Sequence, residues 1–252
     1  MNNYMRLLNN LEELNLKQFR THIEYYINLI AKGEKSLVDA LYELTEQEME
    51  LKRQRIISAC VKTANFPFLK TLEDFDFSFQ PSINKEQMMT FKYLQFINNK
   101  ENILFIGPPG VGKTHLATAI GIEAAKQSHS TYFINCHDLV LPLKRAHLEN
   151  RLETRLKFFS RYKVLIIDEV GYLPLDTESS NLIFQLITKR YEKKSTIITT
   201  NKPLSKWAEI FGDPVLANAI LDRLLHHSHV ININGRSYRI KDKIQNIESN
   251  KK

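Results

Sequence analysis

The residues with the plainest chemistry in this chain are Gly107, Pro108, Pro109, Gly110, Val111, Gly112, Lys113, Thr114 and His115. They follow four apolar residues, 103–106, and precede a helix-compatible stretch to 126. The pattern G-x-x-x-x-G-K-[ST] between strand and helix marks a loop that wraps a nucleoside triphosphate. Glycine lets backbone N–H groups come up against phosphate oxygens. Lys113 supplies a point charge for the β- and γ-phosphates, and the Thr114 hydroxyl can ligate Mg²⁺. The helix opening at His115 turns its positive end toward the anion. ATP and Mg²⁺ are the expected ligands. A chance glycine turn is the competing explanation, and a chain with only 8 Gly argues against it.

A second set of residues lies downstream. Val164-Leu165-Ile166-Ile167-Asp168-Glu169 reads as a buried strand ending in two carboxylates. A parallel sheet binds ligands at the carboxyl ends of its strands. Asp168 is expected to hold the Mg²⁺ shell, and Glu169 to orient and activate the water attacking the γ-phosphate. A solvated acidic turn is the plainer reading of that pair alone. Residues 196–199 form another apolar strand, and Asn201 just beyond it can hydrogen-bond the attacking water or the γ-phosphate. A simple turn ahead of Pro203 is its alternative.

These residues need a frame. With 252 residues, the chain is long enough for one substantial α/β domain plus a small extra one. No apolar run reaches the roughly 18–20 residues that span a bilayer. The first residues lack the apolar core of a signal peptide. A cytoplasmic protein with no membrane partner is expected. Cys60 and Cys136 carry no metal spacing and read as buried free thiols.

The net charge of +7 points to an anionic partner, nucleic acid being the usual one. The excess is clustered: residues 144–163 hold seven Lys/Arg against two Glu. Lys144, Arg145, Arg151 and Arg155 are the candidate DNA contacts.

Residues 1–66 read as an all-α domain. Leu7, Leu8, Leu11 and Leu14 make one apolar stripe, and a second helix over 17–32 stops at Gly33. A third begins near Ser36, and Thr45-Glu46-Gln47-Glu48 resembles a capping box that opens a fourth, running to about 63. Such a module either docks a protein or DNA partner or simply packs as a bundle. Residues 67–101 are a linker with a lead-in helix over 84–98; Phe66, Phe68, Phe75, Phe77 and Phe79 are expected to anchor it. From 102 to 245 strands and helices alternate, with one helical stretch interrupted at Pro142. Alternation of this kind implies a parallel sheet with helices on both faces. Residues 246–252 read as a disordered tail. His226, His227 and His229 invite a metal, but without Cys or acidic ligands at suitable spacing they read as a polar helix end.

The order of phosphate loop, acidic pair and strand-ending Asn resembles the AAA+ ATPases. To about residue 243 the chain resembles the IstB family of insertion-sequence helper ATPases, and more distantly the DnaC helicase loaders. Four segments carry the resemblance: TLEDFDF at 71–77, GPPGVGKTHLA at 107–117, DEVGYLP at 168–174 and LDRLLHHSHVININGRSYRIKD at 221–242. The first and last are far more diagnostic than the phosphate loop, which many ATPases share. The resemblance implies a three-layer α/β P-loop AAA+ core of the initiator and loader type. It implies Mg²⁺-dependent ATP hydrolysis, homo-oligomerisation on double-stranded target DNA, and recruitment and stimulation of the transposase encoded by the same element. It implies that Arg223 reaches the γ-phosphate of a neighbouring copy, and that Arg239 senses nucleotide in its own copy. Loading of a replicative helicase, and a nucleotide-switched scaffold with negligible turnover, are the alternatives.

Overall fold

The structure is a computed structural model and describes residues 2–240. The expected tail 246–252, and residues 241–245 assigned to the core, lie outside the described residues. Two compact units emerge, Met1–Ala59 and Cys60–Lys252.

The first unit is helical: α1 (Asn3–Glu13), α2 (Lys17–Ala31) and most of α3 (Leu37–Thr63). Gly33, at φ 72°, ends α2, and the Glu34 N–H returns to the Leu29 carbonyl. Tyr26, Ala40 and Leu44 form the small core, with Phe19 and Ile23 against it. Leu37–Thr63 is one helix, not the expected two. Thr45 does not cap: its hydroxyl donates to the Tyr42 carbonyl one turn back, inside α3. Glu48, the supposed capping-box acid, is buried and accepts from the Gln18 N–H at 2.7 Å. It therefore caps α2, whose own N-cap residue, Leu16, has no side chain able to do so.

The second unit is built on five parallel strands: β1 (Asn102–Ile106), β2 (Thr131–Asn135), β3 (Val164–Val170), β4 (Ser195–Thr200) and β5 (Ser228–Asn232). Their order across the sheet is β2-β3-β4-β1-β5. Side chains alternate between two cores. Ile103, Phe105, Ile166 and Ile197 face a core shared with α6 (Lys113–Lys126), while Leu104, Leu165, Ile167 and Ile198 face the other. That second core is filled by α7 (Cys136–Leu148), α8 (Leu152–Ser160), α9 (Thr177–Arg190), α10 (Trp207–Phe211) and α11 (Pro214–Leu225). Three layers result, with every crossover of the kind parallel strands require.

Two expectations change in detail. Pro142 lies inside α7 without interrupting it, because its fixed φ is helical and Leu139, Val140 and Leu143 hold the helix to the core. The lead-in helix is not continuous. It divides into α4 (Lys85–Thr90), a short 3₁₀ turn and α5 (Gln95–Asn98), because Leu94 adopts φ 56° to bury its side chain. Of the linker rings, Phe66, Phe75 and Phe77 pack on the α6-side core, as expected of anchors.

Candidate active site

The carboxyl ends of β1, β3 and β4 converge on one edge of the sheet. β1 delivers the chain into the loop 107–112 and α6 begins at once with Lys113. The Gly107 N–H donates to the Thr200 carbonyl, tying the loop to the end of β4. Gly110 and Gly112 have φ of 81° and 99°, which side chains with a Cβ rarely adopt. A Cβ on Gly112 would stand 2.4 Å from the Phe75 ring, and one on Gly110 2.0 Å from Ser237 Oγ. The glycines therefore answer to close protein neighbours on the outside of the loop as well as to an anion inside it. Segment 71–77 and segment 233–238 clamp the loop from two sides.

Lys113 is buried, and its ammonium donates to the Gly107 and Pro108 carbonyls at 2.7 and 2.8 Å. Burial lowers its pKa; Asp168 and Glu169 act in the opposite direction, and Arg239 adds to the lowering. A cation so placed gains from an incoming polyanion. Thr114 Oγ1 lies 3.0 and 3.1 Å from the two carboxylate oxygens of Asp168. Thr199 donates to the same carboxylate at 2.5 Å. Asp168 is only 5% exposed, and burial raises its pKa against the pull of the two threonines. A hydroxyl and a buried carboxylate side by side fit Mg²⁺, a hard cation that takes oxygen ligands.

Asp168 and Glu169 lie inside β3, which runs on to Val170. The ladder with β4 shifts register between Ile167 and Val170. Glu169 sits at φ 59° in that bulge, and its N–H donates to Thr199 Oγ1. A bulge re-aims a side chain: Asp168 stays buried while Glu169 is exposed at the strand end. The Glu169 carboxylate accepts from the Asn135 amide at 2.7 Å. Asn135 is the last residue of β2 and stands opposite Asp168 in the ladder. Asn201 follows β4, and its side-chain oxygen is sequestered with no hydrogen-bond partner. An orphaned buried acceptor at this edge fits a hydrogen-bonding guest such as water.

Sequence reasoning missed Asn135 and Thr199. The available signal was the polar residue closing β2, the same feature that drew attention to Asn201.

The remaining candidates separate. Arg239 lies near enough to Lys113 to oppose its charge, and the Tyr238 N–H donates to the Gly110 carbonyl, so this segment belongs to the chain's own loop. His115 turns its Nε2 to the Thr71 carbonyl and its ring edge to Phe75, leaving its backbone N–H for a ligand. Arg223 is elsewhere. It sits in the last turn of α11, and the Leu224 carbonyl accepts from Asn102, the first residue of β1. Arg223 is therefore at the opposite edge of the sheet, about 15 Å from the loop at roughly 3.3 Å per strand residue. Its guanidinium donates to the Ala219 carbonyl and stacks on Phe184.

Each of the four basic candidates already has an intramolecular partner. Lys144 pairs with Asp176, Arg145 and Arg151 share Glu149, and Arg155 stacks on Phe158 and Phe159. Arg145 and Arg151 are 82% and 70% exposed, so a polyanion can exchange for that weak surface pairing.

Comparison with known proteins fits this geometry. A family profile described as "IstB-like ATP binding protein" matches residues 9–246. The chain is 56% identical over 241 residues to an insertion sequence IS232 protein of Bacillus thuringiensis subsp. berliner named for ATP binding, covering 96% of each chain. It is 45% identical over 233 residues to the corresponding IS21 protein of Pseudomonas aeruginosa, covering 92% of this chain and 88% of that one. Among solved structures, the DnaC helicase loader matches with TM-score 0.54 and 27% identity, over 65% of this chain and 96% of that chain. The five-stranded parallel sheet is thus an AAA+ fold, ATP is the ligand, and the chain belongs to the IstB-like ATP-binding protein family.

Proposed function

We propose that this protein is a Mg²⁺-dependent ATPase of DNA transposition, which assembles on double-stranded DNA and brings a partner transposase to it. The observation that carries the reading is the division of the site. Lys113, Thr114, Asp168, Glu169 and Asn201 meet at one edge of the sheet, while Arg223 stands at the other. An arginine placed against the γ-phosphate is worth about 10³–10⁵ in rate when a neighbour supplies it.

Within one chain, the loop N–H groups and Lys113 bind the phosphates. Thr114 and Asp168 would hold Mg²⁺. When bound, that ion neutralises charge on the β- and γ-oxygens. Glu169 accepts the proton of the attacking water, and Asn201 orients that water. The Asn135 hydrogen bond steadies Glu169, so a change at the end of β2 changes how the base is held. Arg223 of one copy completes the loop of the next. Arg145 and Arg151 meet phosphates of the duplex.

The relatives named for insertion sequences support the transposition reading. The likeness to the DnaC helicase loader supports a second one, loading of a replicative helicase. Electron microscopy of the protein on long duplex DNA with a non-hydrolysable ATP analogue tests assembly, and titration with salt tests its basis. Nucleotide-dependent assemblies that dissociate steeply with salt are expected. Assembly indifferent to nucleotide, or absent on DNA, contradicts the proposal. Co-purification with the element's transposase against a replicative helicase separates the two readings.

A further inference from the structure

The turn after α9 and the end of α11 bring together three side chains that the sequence keeps 34 residues apart. Glu192, His226 and His227 are all exposed, and one donor atom from each lies within 4.8 Å of the other two. Glu192 Oε1 is 3.6 Å from His226 Nδ1 and 3.9 Å from His227 Nε2. Those spacings are too long for hydrogen bonds. They suit ligands of one ion: two donors at about 2.0–2.2 Å and a tetrahedral angle stand roughly 3.4 Å apart.

The three residues come from fixed backbone. The Tyr191 and Lys194 N–H groups are bound to the Ile187 and Arg190 carbonyls, and Glu192 between them holds φ 55°. The His226 N–H donates to the Asp222 carbonyl, and the His227 carbonyl accepts from the Asn102 N–H. The two imidazoles lie side by side, with centroids 4.0 Å apart and planes tilted by 40°. Tyr191 OH is hydrogen-bonded to His226 Nδ1 at 2.7 Å, and the hydroxyl gives up that bond when the nitrogen takes an ion. The sequence reading rejects a metal at these histidines for want of an acidic ligand. Glu192 supplies it.

We propose that Glu192, His226 and His227 bind one divalent transition metal ion of the zinc class. Two imidazoles and a carboxylate suit Zn²⁺, Co²⁺ or Ni²⁺, whereas Mg²⁺ prefers oxygen donors alone. The exposed position leaves the fourth ligand to water. The ion ties the α9–β4 turn to the end of α11, three residues from Arg223, and so stiffens the element that carries that arginine.

The test is calorimetric titration of the full chain, tag-free, nucleotide-free and stripped with EDTA, with Zn²⁺. One zinc per chain at micromolar affinity is expected, undisturbed by millimolar Mg²⁺. Glu192→Gln, His226→Ala and His227→Ala should each weaken it roughly tenfold or more. His229→Ala should not, because His229 is occupied with Glu101. In the unmodified protein, zinc should shift the imidazole resonances of His226 and His227 and leave that of His229, which shows the site without any variant. No zinc uptake, an affinity unchanged in any one of the three variants, or shifts confined to other histidines overturns the proposal.

Discussion

The two edges of the sheet differ in how fully their polar groups are satisfied. At the carboxyl edge, Thr114, Asp168, Thr199, Glu169 and Asn135 form one hydrogen-bonded chain of side chains and backbone. At the amino edge stand two arginines with opposite characters. Arg190 is fully buried and donates to the Phe159, Tyr162 and Ser195 carbonyls and to Thr196 Oγ1. Burial without a carboxylate pushes its pKa down to about 9. Arg223 has one carbonyl of its own helix and one aromatic face. Arg190 is spent on joining α8, α9 and β4. Among the described residues, Arg223 donates one hydrogen bond and leaves its other N–H groups to solvent or a partner. The contrast separates a cation spent on packing from one that the proposed function assigns to a neighbouring copy.

That contrast can be broken by substitution. Arg223→Ala should lower the turnover of the assembled protein by about 10³-fold or more while leaving ATP affinity of the dilute chain within about twofold. Single-turnover kinetics and nucleotide titration read the two quantities. If turnover is unchanged, Arg223 is merely a helix-end charge. Glu169→Gln should reduce turnover by about 10²–10⁴-fold with ATP still bound. Equal hydrolysis by variant and parent removes Glu169 from its role. Lys113→Ala should weaken ATP binding by roughly 10–100-fold, the worth of its charged hydrogen bonds.

Arg190→Met sharpens the contrast from the other side. It leaves several buried carbonyls without a donor and should cost about 3 kcal/mol in urea unfolding, with nucleotide affinity of the folded fraction unchanged. A nucleotide effect without a stability effect would reverse the roles of the two arginines. The smallest expected effect is chemical. Cys136 is buried, which pushes its thiol up to about 12. It therefore stays protonated at pH 8 and should resist alkylation in the native protein, while partly exposed Cys60 reacts. Mass spectrometry after brief iodoacetamide treatment reads both.

Much of this organisation is written locally. β1, β3 and β4 are buried on both faces and stand out as short apolar runs. The edge strands β2 and β5, the latter partly exposed, show in the runs 131–134 and 230–233. The loop and the polar residues that end β3 and β4 are equally legible. What escaped depends on contacts between distant segments. Glu48 looks like a capping-box acid until α2 is packed beside it. Thr45 looks like a helix start because its neighbours hide the continuity of α3. The bulge that exposes Glu169 exists only in the pairing of β3 with β4. Asn135 acquires meaning only opposite Asp168, and Glu192 only beside His226. Arg223 was named through a resemblance. Its distance from its own loop is a fact of the fold and could not be read from spacing.

The central claim is that hydrolysis occurs in a site shared between two copies. Mixing Arg223→Ala chains with Glu169→Gln chains on DNA tests it most directly. Each variant alone should be nearly inactive. In the mixture a minority of junctions unite an intact Glu169 site with an intact Arg223, and ATP hydrolysis should return well above the sum of the two. A mixture no more active than its components, under conditions where both variants assemble together, contradicts a shared site.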